Sequence, residues 1–178
     1  MVAPIPPAVC DDPRGHNVKY FLRDCSGMVN CPKCTKDGLV VEKITVANHA
    51  KESCWPLGDE TYYHCENPDC EVIYFTASGS RSLKISDIKT RVTFKERTSP
   101  RPLCYCKQVT EEDVINAIEG GAANVDEVRN ITGIGGGGHC KFTNPAGRCC
   151  SRNYKPFIDL ELKKRGKGGS DGIPMIFK

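Results

Sequence analysis

The sequence predicts an α+β protein in which a β module precedes a small helix–turn–helix module. Between residues 31 and about 95, short runs of β-branched and aromatic residues are punctuated by Gly38, Gly58 and Pro68, the pattern of short strands joined by turns. After Thr98-Ser99-Pro100-Arg101-Pro102, whose prolines favour extended backbone, the spacing of apolar residues becomes helical, with caps at both ends. Twelve cysteines run through both parts, most of them in close pairs beside turn-forming residues.

Residues 1–27, with Pro4, Pro6, Pro7 and Pro13 and no sustained periodicity, are expected to form an extended lead-in. The first module is placed at 28–97. Strands are expected in Leu39–Val46, Thr61–Tyr63 and Val72–Phe75, with a further alternating stretch at Arg91–Phe94. Residues 98–102 are the expected linker and 103–156 the second module. There Thr110 reads as the N-cap of a helix with Asp113 closing a capping box, Val114, Ile115, Ala117 and Ile118 on one face, and Gly120-Gly121 as its stop. Asn124 caps a second helix, with Glu127 at the third position, Val125, Val128 and Ile131 inward, and Gly133 at the end. Residues 157–178 are read as a basic tail, in which 157–165 forms a short strand or helix. At 178 residues the chain suits two small modules better than one large core, and the linker is expected to leave them as independent metal-nucleated folds.

No apolar run approaches the length of a membrane helix, and Met1–Cys10 lacks the basic and apolar regions of a secretory signal. A cytoplasmic, reducing location follows as an expectation, and in that setting cysteines serve metals rather than disulfides. The formal charge is +3, but residues 151–178 carry seven Lys or Arg against three Asp or Glu, so the excess is confined to the C-terminal end.

Cys31-Pro32-Lys33-Cys34 is a C-x2-C turn and Cys65-x4-Cys70 a second knuckle leading into a strand. Two such turns suit one tetrahedral ion held by four thiolates, the arrangement of closed structural Zn²⁺, although rubredoxin-like iron accepts the same ligands. A thioredoxin-like pair would open a helix, whereas Thr35–Gly38 leads into a strand. A Cu(I) clip of the M-x-C-x-x-C kind is disfavoured because Met28 lies three residues before Cys31, not two.

Cys104-Tyr105-Cys106 stands at the entrance to the helix pair, and Cys140 and Cys149-Cys150 follow its exit. Four thiolates in this arrangement meet the needs of a [2Fe–2S] cluster, with the C-x-C expected to serve one iron and a later pair the other. The glycines of Gly133-Ile134-Gly135-Gly136-Gly137-Gly138 allow close approach and offer free N–H groups to sulfur. A phosphate loop would need a following Lys-Ser or Lys-Thr, which is absent.

These residues resemble two related families. Cys104-Tyr105-Cys106, the helix pair and Thr132-Gly133-Ile134-Gly135 are similar to the bacterioferritin-associated ferredoxin-like [2Fe–2S] module, whose usual ending is C-x2-C. Here the final spacing is C-x8-C or C-x9-C, which resembles instead the N-terminal region of CopZ-type copper chaperones carrying a zinc ribbon and a [2Fe–2S] centre. The resemblance covers about residues 28–155 and includes Cys31-Pro-Lys-Cys34, Cys65-x4-Cys70 and Val72-Ile-Tyr-Phe75. It implies a zinc-ribbon-like module with Zn²⁺ on Cys31, Cys34, Cys65 and Cys70. It also implies a [2Fe–2S] cluster on Cys104, Cys106, Cys140 and Cys150, with Cys149 as the alternate. It does not extend to the copper-carrying domain, since the 28 residues after Cys150 are too few for one, so the implied unit is a redox module.

His139 is read as a neighbour of the cluster rather than a ligand, His64 as facing away from the zinc along its strand, and Cys10, Cys25 and Cys54 as free thiols. The aromatic residues 62, 63, 74, 75 and Trp55 are assigned to a small core. Two functional readings follow. One is a one-electron carrier or redox subunit of a larger complex, linked to copper handling through reduction of Cu(II) to Cu(I). The other is a structural or assembly adaptor whose metals hold the fold. The chain is not expected to be an enzyme on its own. The expected partner is a redox protein, met through Lys155, Lys163, Lys164, Arg165 and Lys167; copper or a copper-handling protein is a further candidate. Residues 31–95 lack the basic, aromatic-interleaved surface of a nucleic-acid binder.

Overall fold

The computed structural model describes residues 29–167; the lead-in with Cys10 and Cys25, and the last eleven residues, lie outside them. Strands β1 (Gly38–Val41), β2 (Tyr62–Cys65), β3 (Val72–Thr76) and β4 (Ser82–Lys84) form one antiparallel sheet in chain order. Every residue of β3 is buried, which fits a central strand covered on both faces. Helix α1 (Lys43–His49) follows β1.

Two expectations fail in this module. The β-branched run Leu39–Val46 is a strand only to Val41, and its Ile44-Thr45-Val46 part is the first half of α1. The pairing of β1 with β2 ends at Val41 opposite Tyr62. Beyond that point the backbone has no neighbour to bond, and a helix satisfies it internally while still burying Thr45 and Val46. Arg91–Phe94 is likewise no strand. It begins a turn closed by Lys95 N–H and Glu96 N–H on the Val92 carbonyl.

The second module contains a two-stranded ribbon of β5 (Pro102–Cys104) and β6 (Val109–Thr110), then α2 (Glu111–Glu119), α3 (Val125–Thr132), the single turn α4 (Cys140–Thr143) and α5 (Ser151–Lys164). β5 thus starts inside the expected linker. The expected caps are present: Thr110 accepts from Asp113 N–H and Asp113 returns the bond, Asn124 accepts from Glu127 N–H, and Gly133 closes α3 at φ 71°. Val114, Ala117, Ile118 and Val128 face inward, but Ile131 is 62% exposed. Ile134, just past the Gly133 turn, occupies the core at that end.

The basic tail is the largest correction. Helix α5 crosses the boundary expected at 156/157, and Tyr154, Ile158 and Leu162 complete the core made by Leu103, Val109, Val114, Ile118, Val128 and Ile134. These apolar residues recur at four-residue spacing, so one helical face is apolar and must be buried. Three of the five cations expected to dock a partner are occupied within the chain. Arg165 pairs with Glu119 and Glu161, Lys164 pairs with Glu161, and Lys167 donates to the Ile118 and Ala122 carbonyls.

Nor are the modules independent. The Tyr74 hydroxyl donates to the Pro145 carbonyl at 2.6 Å in a buried contact, Thr45 Oγ1 donates to the Lys141 carbonyl at 2.7 Å, and the ion pairs Lys141–Glu42 and Arg152–Glu66 cross the same boundary. On the other side the Tyr105 hydroxyl accepts from Thr93 N–H and donates to the Arg91 carbonyl.

Candidate metal centres

The C-x2-C turn stands just before β1, and the second knuckle joins β2 to β3. The register of β2 sets which side chains face it. Cys65 lies in a buried cluster with Cys31, Cys70, Val72 and Phe75, while His64, its neighbour on the strand, packs on the opposite side against the Tyr74 ring at 5.7 Å. The four sulfurs of Cys31, Cys34, Cys65 and Cys70 all lie within 4.8 Å of one another, with Cys31–Cys70 at 3.8 Å and Cys34–Cys65 at 3.6 Å. A tetrahedron of thiolates about 2.3 Å from a central ion has edges of about 3.8 Å, so the donor set and its spacing fit zinc.

Ionisation is uneven in this cage. Burial works against the thiolate at Cys34, but hydrogen bonds from the Asn67 side chain, the Lys36 backbone and the Cys65 and Cys31 thiols outweigh it and bring its pKa down to about 6. Burial pushes Cys65 up to about 12 and raises Cys70 as well. Buried thiols of this kind give up their protons together only to a cation placed among them.

The second group is assembled from more distant parts. Cys104 ends β5, Cys106 follows in the turn, Cys140 starts α4 and Cys150 immediately precedes α5. The sulfurs meet across these segments: Cys106 and Cys140 are 3.5 Å apart, and Cys150 is hydrogen-bonded to Cys104. The Cys150 thiol and the N–H groups of Gly135, Lys107 and Cys106 bring the Cys104 pKa down to about 5 against the effect of burial. Burial pushes Cys140 up to about 12, with contacts from Cys106 and Cys149 adding to it. Cys150 is raised by its bond to Cys104 and by burial.

The glycine loop lines this group closely. A side chain on Gly137 would overlap Cys106, and one on Gly135, at φ 79°, would overlap the Tyr154 hydroxyl. Two thiol pairs, an N–H group from the glycine loop and this cradle fit a [2Fe–2S] cluster. Cys150 is buried and Cys149 exposed, although Cys149 also contacts Cys140. His139 is exposed, and Cys54 bonds the Asp87 carbonyl away from both groups.

Three residues near these groups escaped the sequence reading. Thr143 Oγ1 lies 2.9 Å from Cys106 Sγ, Tyr105 is tied to Thr93, and Lys95 is buried with its ammonium on the Asn67 and Cys70 carbonyls. Thr143 was detectable as the residue one helical turn after Cys140. Nothing in the local sequence marks Lys95.

A closed four-thiol cage and a looser, glycine-lined thiol group together define a protein built around two metal centres. Residues 28–89 match the family described as a zinc binding domain, and residues 102–143 match the BFD-like [2Fe–2S] binding domain. The copper chaperone CopZ of Archaeoglobus fulgidus is 40% identical over 123 residues, which is 69% of this chain and 58% of that protein. The X-ray structure of the N-terminal domain of the same organism's CopZ aligns with a TM-score of 0.62 at 36% identity, covering 78% of this chain and 98% of that domain. The chain belongs to the family of the N-terminal zinc and [2Fe–2S] region of CopZ-type proteins, and its cofactors are zinc and a [2Fe–2S] cluster. It spans a little over half of the full-length relative. No described helix is long and apolar enough to cross a membrane.

Proposed function

We propose that this protein is a one-electron carrier in copper handling. In this reading Cys104, Cys106, Cys140 and Cys150 hold the [2Fe–2S] cluster, and Cys31, Cys34, Cys65 and Cys70 hold a structural zinc. The observation that carries it is the contrast in access. In the first group Cys31, Cys65 and Cys70 are buried and only Cys34 is partly exposed, whereas in the second Cys104 and Cys150 are buried but Cys106 and Cys140 are both partly exposed, beside the exposed glycines 136–138. A centre meant to exchange electrons needs an edge at the surface; one meant to hold a fold does not. When bound, a [2Fe–2S] cluster supplies one-electron redox chemistry; similarity to a copper chaperone supports copper as the acceptor, and in this reading Cu(II) is reduced to Cu(I). The residues around it serve that use: the Gly135 N–H donates to the Cys104 sulfur and stabilises negative charge there, and the Thr143 hydroxyl lies 2.9 Å from Cys106 Sγ.

A second reading, a structural adaptor, is favoured by the bonds that lock the modules together. The two are separated by one experiment on anaerobically purified protein. A carrier contains about two irons and two acid-labile sulfides, shows an S = 1/2 signal on one-electron reduction, and yields one Cu(I) per reduced chain when mixed with Cu(II) and a Cu(I)-specific chelator. An adaptor binds the iron and sulfide but fails to cycle reversibly.

A further inference from the structure

Lys95 is only 6% exposed. Its Nζ donates to the Asn67 carbonyl at 2.6 Å and to the Cys70 carbonyl at 3.0 Å, which places the ammonium on the C-x4-C knuckle itself. No carboxylate among the described residues forms an ion pair with it. Two carbonyls satisfy two of its three donors and none of its charge. Burying an ammonium without a counter-charge costs several kcal/mol, so folded proteins pair such groups. The Lys95 charge acts on Cys65 and on the buried neutral His64, and of these two only the cysteine can become negative.

We propose that Lys95 is the counter-ion of the four-cysteine centre. The inference rests on the reading that Cys31, Cys34, Cys65 and Cys70 bind zinc. Four thiolates around one Zn²⁺ carry a net charge of −2, held by a knuckle whose Asn67 and Cys70 carbonyls seat a buried ammonium with no carboxylate partner among the described residues. The attraction acts in a site shielded from water, where it is stronger than at a surface. It lowers the electron density on the thiolates, which protects them from electrophiles and slows loss of the metal. Lys95 is therefore a positioning and charge-balancing residue, acting through the cysteines.

The experiment compares Lys95→Arg, Lys95→Gln and Lys95→Met in the full holoprotein, following zinc release with a chromogenic indicator during challenge by excess N-ethylmaleimide. Gln keeps a donor for the two carbonyls but removes the charge. The expected result is zinc release about tenfold faster in Lys95→Gln and Lys95→Met, with Lys95→Arg restoring the wild-type rate to within about twofold. Should Lys95→Met fail to fold, Lys95→Gln and Lys95→Arg decide the matter. Release from Lys95→Gln at the wild-type rate overturns the proposal, because anchoring of the turn then suffices; so does Lys95→Arg releasing zinc as fast as Lys95→Gln. Failure of the underlying reading is separately visible: a Cys65→Ser protein that keeps its zinc in the same assay shows that the metal is elsewhere.

Discussion

The two thiol groups of this protein are built in opposite ways. In the first module two turns on neighbouring strands bring four sulfurs within 4.8 Å, and sheet pairing between β1, β2 and β3 holds the turns in register. In the second, the sulfurs come from β5, the following turn, α4 and the residue before α5, and they meet as two pairs. The loop between Cys140 and Cys150 leans on the first module through Pro145 and Lys141. A closed single-ion site can thus be specified by local turns, while the shallower group depends on the packing of the whole molecule, including its neighbour.

This difference makes the first module the foundation, which gives the largest expected effect. Cys65→Ser should abolish zinc retention and remove on the order of 10 kcal/mol of metal-coupled folding energy. Because Tyr74 and Thr45 support the Cys140–Cys150 loop, the visible absorbance of the cluster should also decay faster than in the wild type. Zinc loss with an unchanged cluster lifetime would show the modules to be uncoupled. Next, Cys150→Ser should remove most of the cluster absorbance, whereas Cys149→Ser, at an exposed position, should leave the spectrum close to wild type; the opposite order would reassign the ligand.

Within the second module, Leu162→Ala should lower stability to urea by about 2–5 kcal/mol, because the side chain is fully buried under α5. Lys163→Ala on the exposed side of the same helix should change it by less than about 0.5 kcal/mol. Equal effects would return this segment to the status of a tail. The smallest effect tests the seam between modules. His49 is held neutral, with its pKa down at about 4, first by burial and then by the Lys89 charge. Its folded value lies below its unfolded value of about 6.5. The stability it contributes is therefore complete above pH 6.5 and is lost as pH falls toward 4, on the order of 2 kcal/mol. Urea midpoints at pH 7 and pH 5 should differ less in His49→Gln than in the wild type, and an identical pH dependence would remove His49 from the account.

Much of the architecture was legible because its signals are local. The capping residues Thr110, Asp113, Asn124 and Gly133 act within one turn of themselves. The C-x2-C and C-x4-C spacings likewise confine each pair of sulfurs to a single turn, so the two knuckles stand out without any knowledge of the fold. The failures are non-local. Ile44-Thr45-Val46 has strand composition, but whether it pairs depends on how far β2 extends, and β2 begins only at Tyr62. The four-residue apolar spacing of Tyr154, Ile158 and Leu162 was present in the sequence, but it was masked by the surrounding lysines until the core showed where that face goes.

What the sequence determined by itself was therefore the two-module order, the ends of α2 and α3 and the close spacing of the cysteines in each turn, all set by steric and hydrogen-bonding preferences within a few residues. What only the tertiary structure decided was that α5 closes the second core, that Cys106 meets Cys140 while Cys104 meets Cys150, and that Lys95 lies buried on the second knuckle. Those outcomes depend on which surfaces are covered by residues distant in the chain, since burial is a property of the packed molecule and leaves no periodic mark on an isolated lysine or a pair of cysteines.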